Sequence, residues 1–247
     1  MKKLVTAFAV LALCHTMSAT AAPTAKATTT KSSRPKADAK PKGDPATDAT
    51  VEQGVVSASG PVARVIEWVA SSRDNRSHPY IVIDKMGARA FLFDAKGRPL
   101  SDAPVLIGIA TGDEATPGVG KKSLAEIGPA EKTTPAGRFL AKFGRAAGNA
   151  QVLWVDYATS VALHTIPPGN PKEHRVDRMI SPAIGDNRIT FGCINVPKRF
   201  YAKVRPLFAK KGGYVYVLPD TKTLEDVFPP IRMQPFITSR DGDRQGG

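Results

Sequence analysis

Cys193 is the side chain of this 247-residue chain best suited to nucleophilic chemistry, set in the run Arg188-Ile189-Thr190-Phe191-Gly192-Cys193-Ile194-Asn195-Val196. An ordinary thiol has a pKa near 8.5, so only a few per cent is thiolate at neutral pH, and a neighbouring imidazole that takes the proton makes it useful. Gly192 leaves the backbone beside the sulfur uncrowded, and Ile189, Ile194 and Val196 are β-branched anchors for flanking strands. The competing reading is a packed structural cysteine, since free cysteine is among the most buried residue types. His164 closes the apolar run Val161-Ala162-Leu163, where a sheet edge holds a ring rigidly. His174 sits between Glu173 and Arg175 in a polar stretch, and His78 precedes the first strand. Placement favours His164 over His174 as the base, against the alternative of a half-buried strand histidine with no chemical role.

The other cysteine bears on Cys193. Lys2 and Lys3, the apolar run Leu4 to Leu13 and Ala19-Thr20-Ala21 have the order of an export signal over residues 1–21. Cleavage there removes Cys14 and leaves Cys193 as a sole thiol in a compartment that permits disulfides, the periplasm or cell envelope. Leu13 is bulky where a lipid-attachment site wants a small residue. The apolar run is too short to span a bilayer, so no integral span is expected after cleavage. The formal net charge is +13. Residues 23–50 hold six basic and three acidic residues, which leaves about +8 spread over 51–247. That balance suits polyanionic surfaces such as cell-wall polymers. No motif or aromatic-basic interleaving points to nucleic acid, and no ligand cluster or phosphate-cradling loop points to a metal or cofactor.

Residues 22–58, rich in Ala, Thr, Lys and Pro, bury too little to offset their ordering entropy and read as a disordered linker. Residues 59–78 form an N-terminal helix and connection: Pro61 opens a turn, and Val62, Val65, Ile66 and Val69 recur at helical spacing. Trp68 lies off that stripe as a packing residue. Tyr80–Asp84 and Ala88–Phe93 flank Lys85-Met86-Gly87 as a hairpin, and a further strand is expected over Val105–Ala110. Thr111 to Thr134 reads as a long surface loop. Thr133-Thr134-Pro135-Ala136-Gly137 is a tight turn into the strand Arg138–Phe143. Gln151–Tyr157 and Val161–His164 form a second hairpin, 165–188 is irregular, Arg199–Lys210 is a helix, and Gly213–Leu218 closes the sheet. Residues 220–247 are a C-terminal tail. The expected total is about eight strands and two helices.

Taken in order, Thr134-Pro135-Ala136-Gly137, the strand ending in His164, and Thr190-Phe191-Gly192-Cys193-Ile194-Asn195 resemble the L,D-transpeptidase catalytic domain family (YkuD-like). The resemblance covers residues 79–219. It implies a mainly β fold, an L,D-transpeptidase-like β-sandwich or open barrel with one or two short flanking helices. It also implies attack on an L-to-D peptide bond of peptidoglycan stem peptides by a cysteine thiolate, with the acyl group passing to an amine on another stem or on a wall-attached acceptor protein. Carried over by position, Cys193 is the nucleophile and His164 the base and later acid. The carbonyl of Thr165 orients the imidazole, and the N–H groups around Gly192 and Cys193 serve the oxyanion. Asn195, Thr190, Phe191 and Arg188 are implied as supporting, substrate-side residues. The chain departs from the family at Phe191, where a histidine usually completes Ser-His-Gly-Cys, and its loop between His164 and Cys193 is longer. Arg188, His174 or Thr190 are the candidates to take over that polar role.

Two further readings compete with the transpeptidase. The same acyl-enzyme delivered to water or a free D-amino acid makes an L,D-carboxypeptidase, a hydrolase or an exchange enzyme, because pocket shape and water exclusion choose the acceptor. A non-catalytic basic wall-binding module would pack Cys193 in its core.

Overall fold

Residues 58–234 are described by the structure, a computed structural model. The expected export signal, nearly all of the linker, and residues 235–247 of the tail lie outside the described residues. Helix α1 (Gly60–Ser72) carries Pro61 in its first turn and buries Val62, Val65, Trp68 and Val69, so Trp68 packs as expected although it is off the stripe. Strands β1 (Tyr80–Asp84) and β2 (Arg89–Phe93) form the first hairpin in register Tyr80↔Phe93. Strand β3 (Pro99–Pro104) extends the hairpin antiparallel to β2. It carries no apolar alternation, and its first proline sits on an edge strand where the missing N–H is tolerated, which is why the sequence hid it.

The strand expected over Val105–Ala110 shrinks to β4 (Ile107–Gly108), because each neighbour bonds to a different partner. Val105 N donates to Ala88 O, Leu106 N to Asn195 O, and Ile109 N to Thr190 O. The long loop follows with three 3-10 turns. Then come β5 (Gly137–Arg145), β6 (Gln151–Asp156) and β7 (Val161–Thr165). Within the stretch expected to be irregular lies α2 (Arg175–Ile180). The chain continues through β8 (Arg188–Thr190), β9 (Ile194–Val196), α3 (Lys198–Phe208), β10 (Gly213–Val217) and α4 (Leu224–Val227).

Eight strands form one sheet in the order β3-β2-β1-β10-β5-β6-β7-β9, and β4 pairs with β8. The two sheet edges are drawn together by Leu106 and Asn195, whose backbones exchange hydrogen bonds at 2.9 Å in both directions. The fold is thus mainly β, a nearly closed barrel with few helices. One face of the sheet holds Ile81, Leu92, Leu153, Leu163, Ile194 and Val215, and α3 covers it with Phe200, Val204 and Phe208. On the other face α1 packs against Tyr80, Val82, Phe91 and Tyr216. Phe228 and Ile231, from the segment beyond residue 219, are buried in that same cluster, because their apolar bulk caps the open side of Trp68 and Tyr216.

Candidate active site

Strands β7 and β9 run parallel, with Leu163 opposite Ile194 and His164 opposite Asn195. Alternation then sorts their side chains. Val161, Leu163, Ile194 and Val196 enter the core, so Ala162, His164, Cys193 and Asn195 emerge together on the opposite face. One step back in register places Cys193 beside Ala162, diagonal to His164. Such diagonal positions lie about 7–8 Å apart, within reach of an aromatic ring. Two residues 29 positions apart in sequence therefore share one face because their strands are neighbours.

The imidazole is held in one orientation. Its Nδ1 lies 2.7 Å from Thr165 O, and a carbonyl only accepts, so the proton sits on Nδ1 and Nε2 keeps its lone pair. Burial lowers the pKa of His164, the Thr165 carbonyl raises it, and the positive charge of Arg175 lowers it further, with a net shift downward. Burial pushes the Cys193 thiol up, and a backbone hydrogen bond from Ala162 and the Arg175 charge only partly offset this. Both groups are therefore neutral at rest. The thiol donates to Ser160 O at 3.7 Å, in the turn between β6 and β7.

The turn that presents the cysteine is held by two threonine hydroxyls. Thr190 Oγ1 accepts from Gly192 N at 3.1 Å and donates to Cys193 O at 2.6 Å. Thr134 Oγ1 donates to Gly192 O at 2.8 Å and accepts from Gly108 N at 2.9 Å. Gly192 is required here, since its φ is +118° and an added Cβ would stand 2.6 Å from Thr133 O. The Thr-Pro-Ala-Gly turn is thus the direct support of the Gly192–Cys193 segment. The Gly192 N–H, implied by the resemblance as an oxyanion donor, is engaged by Thr190.

Asn195 is fully buried, and its Nδ2 lies 3.5 and 3.4 Å from the two ring nitrogens of His164, which puts the amide against the imidazole. Its Oδ1 accepts from Arg175 at 2.8 Å, and Arg175 Nε in turn binds Glu173 at 2.6 Å. Nothing in the local sequence marks Arg175, which stands beside His174 in a polar stretch. His174 is exposed and paired with Asp177 at 3.3 Å. Ile166, Asn170, Glu173, Arg175 and Asp177 are among the residues lining a cavity of about 260 Å³ whose walls include neither Cys193 nor His164.

Phe191 carries the ammonium of Lys132 over its ring, 3.8 Å from the centroid. A cation thus accompanies the position where the family has histidine, supplied from the loop before Thr133. Arg188 turns to Asp220 at 2.7 Å and to the carbonyls of Gly108 and Ala110 at 3.5 and 3.4 Å. Among the described residues no group of three or more His, Cys, Asp or Glu side chains could hold a metal ion, and no helix is long and apolar enough to cross a membrane.

No protein-family model matches the chain, and no curated protein matches it. Among solved structures, Bdellovibrio bacteriovorus Bd1075 is similar with 12% identity and a TM-score of 0.37, over 66% of this chain and 56% of that one. An L,D-transpeptidase from Xylanimonas cellulosilytica is similar with 15% identity and a TM-score of 0.35, over 57% of this chain and 60% of its own. The chain spans between half and two thirds of the length of both.

Proposed function

We propose that the chain is an exported cysteine transpeptidase of the cell envelope that acts on peptidoglycan stem peptides through a Cys193 thioester. The observation that carries this reading is the pairing of β7 with β9. It sets His164 and Cys193 on one face while Thr165 O fixes the proton on Nδ1 and leaves Nε2 as a base. Because thiol and imidazole are both neutral at rest, deprotonation accompanies attack rather than preceding it.

In the first half-reaction Sγ turns from Ser160 O toward His164 and gives its proton to Nε2. It attacks the carbonyl carbon at the L-to-D bond as that proton leaves. The tetrahedral oxyanion takes a backbone donor at the turn, the Cys193 N–H, since Gly192 N–H is held by Thr190. The C–N bond breaks as His164 returns the proton to the leaving amine, giving a thioester. In the second half-reaction an acceptor amine loses its proton to His164 and attacks the thioester, the C–S bond breaks, and the Cys193 thiol is regenerated. The acceptor is the side-chain amine of another stem or an amine on a wall-attached protein. Asn195 holds the imidazole plane, and Arg175 adds positive charge that favours the anionic sulfur.

Purified protein is incubated with tetrapeptide stems, with and without an amine acceptor, and the products are weighed by mass spectrometry. Cross-linked product from wild type, and none from a folded Cys193→Ala variant, is the expected result. Release of the terminal residue without transfer assigns the site to hydrolysis. A slow alkylation rate suits a neutral catalytic thiol and a packed structural one alike, so capture by a carbapenem is the sharper probe. A mass increase on Cys193 supports the acyl-enzyme. Absence of both the adduct and any change to stem peptides would leave the wall-binding module as the better reading.

A further inference from the structure

Three buried charges, Lys85, Asp113 and Asp220, lie with the half-buried Arg188 behind the cysteine turn, and the chemistry above uses none of them. Lys85, the residue after β1, is fully buried, and its ammonium donates to Gly112 O at 2.6 Å, Asp113 Oδ1 at 2.9 Å and Thr134 O at 3.0 Å. All three of its donors are used. Asp220 Oδ2 stands 3.3 Å away, accepts from Gly112 N at 3.1 Å, and the other oxygen of Asp220 takes Arg188 at 2.7 Å. Asp113 also accepts from the backbone of Asp220, Thr221 and Lys222 at 2.5–2.9 Å. Burial would raise the Asp113 carboxyl, but the Thr221 hydroxyl, these amides and Lys85 hold it well below the usual carboxylate range.

Stability alone does not call for such a cluster, since apolar side chains of similar volume serve a core as well or better. Its connections are more specific. Lys85 holds the carbonyl of Thr134, whose hydroxyl clamps Gly192 O. Arg188 lies two residues before Thr190, whose hydroxyl clamps Gly192 N and Cys193 O. Both hydroxyl clamps on the cysteine turn hang from one ion network that also ties in the chain after β10.

We infer that Lys85 and Asp220 are positioning residues for Cys193, setting the turn through Thr134 and Arg188. The effect on turnover rests on the transpeptidase reading; the effect on the thiol does not. The test is the pH–rate profile of iodoacetamide alkylation at Cys193, located by peptide mass mapping, in the full chain carrying Lys85→Met or Asp220→Asn. The reference is Val65→Ala, a core variant in the α1 cluster remote from the turn. All are measured well below their melting temperatures. Loosening the turn solvates the sulfur, so the alkylation midpoint is expected to fall toward the ordinary thiol value and the rate at pH 7 to rise about tenfold or more. Val65→Ala should leave the midpoint in place. With a transferable substrate, kcat is expected to fall about 100-fold, the scale of a 1 Å misplacement, with KM unchanged. A folded variant with an unaltered profile overturns the inference, as does an equal midpoint shift in Val65→Ala. Should Lys85→Met fail to fold, Asp220→Asn, which keeps side-chain shape, decides alone. If wild type transfers nothing, the alkylation profiles still decide.

Discussion

Replacing Thr134 by valine tests the proposition that the Thr-Pro-Ala-Gly turn exists to hold the cysteine. Valine has the shape of threonine without the hydroxyl, so the substitution opens no cavity and isolates the polar effect. Thr134 is 1% exposed, and its oxygen is the partner of both Gly108 N and Gly192 O. Each buried group left unsatisfied costs about 1–3 kcal/mol. Both together predict a loss of about 2–6 kcal/mol in urea unfolding, a large fraction of an ordinary domain's stability. For a domain of this size each kcal/mol moves the melting temperature by about 2–4 °C. Thr134→Ser keeps the hydroxyl and loses one methyl, so it should cost only about 1 kcal/mol. The pair of variants is measured by urea titration and by scanning calorimetry. A Val variant as stable as the Ser variant would falsify the clamp, since it would mean that these two backbone groups do not depend on the hydroxyl.

The remaining predictions concern the turn and the titrating pair. Gly192→Ala forces a side chain into positive φ and against Thr133 O, and should destabilise the domain by about 1–3 kcal/mol in the same titration. His164→Gln should slow acylation of Cys193 by about 10²–10⁴-fold, read as the rate of carbapenem adduct formation, and an unchanged rate removes His164 as base. With His164 depressed and Cys193 raised, acylation should rise as pH climbs through a value below the ordinary histidine range. It should then hold a plateau through neutrality. Arg175→Gln removes a charge that lowers both pKa values, so both the acid limb of that profile and the alkylation midpoint of Cys193 should move upward. Movement in opposite directions contradicts the placement of Arg175 beside both groups.

Linkage gives the same groups opposite effects on stability. His164 binds its proton less well folded than unfolded, so its contribution is present above the ordinary histidine value and lost as pH falls through the depressed one. Cys193 binds its proton better folded, so its contribution is present below the ordinary thiol value and lost as pH rises through the elevated one. Both are intact near neutrality.

Local pattern in the sequence was enough for the helix at Pro61, both hairpins, the strand into which the Pro135 turn leads, α3 and β10, because each of these carries its own periodicity or turn chemistry. It also singled out Cys193 and His164, one as the thiol outside the expected export signal and the other as a histidine closing an apolar strand. Elements whose identity depends on a partner were not legible. Strand β3 is polar and bracketed by prolines, and it is a strand because β2 offers it a ladder; β4 is short because Leu106 leaves to meet Asn195. The site's surroundings follow the same division. Arg175 reaches Asn195 because the loop after β7 folds back on β9, and Lys85 gathers its partners because β1, the long loop, the Thr134 turn and the chain after β10 converge on one ammonium. Such convergence is set by strand order and register, which bring together residues over a hundred positions apart. A one-dimensional pattern records which face of its own strand a residue takes, and only the packed sheet decides what stands opposite it.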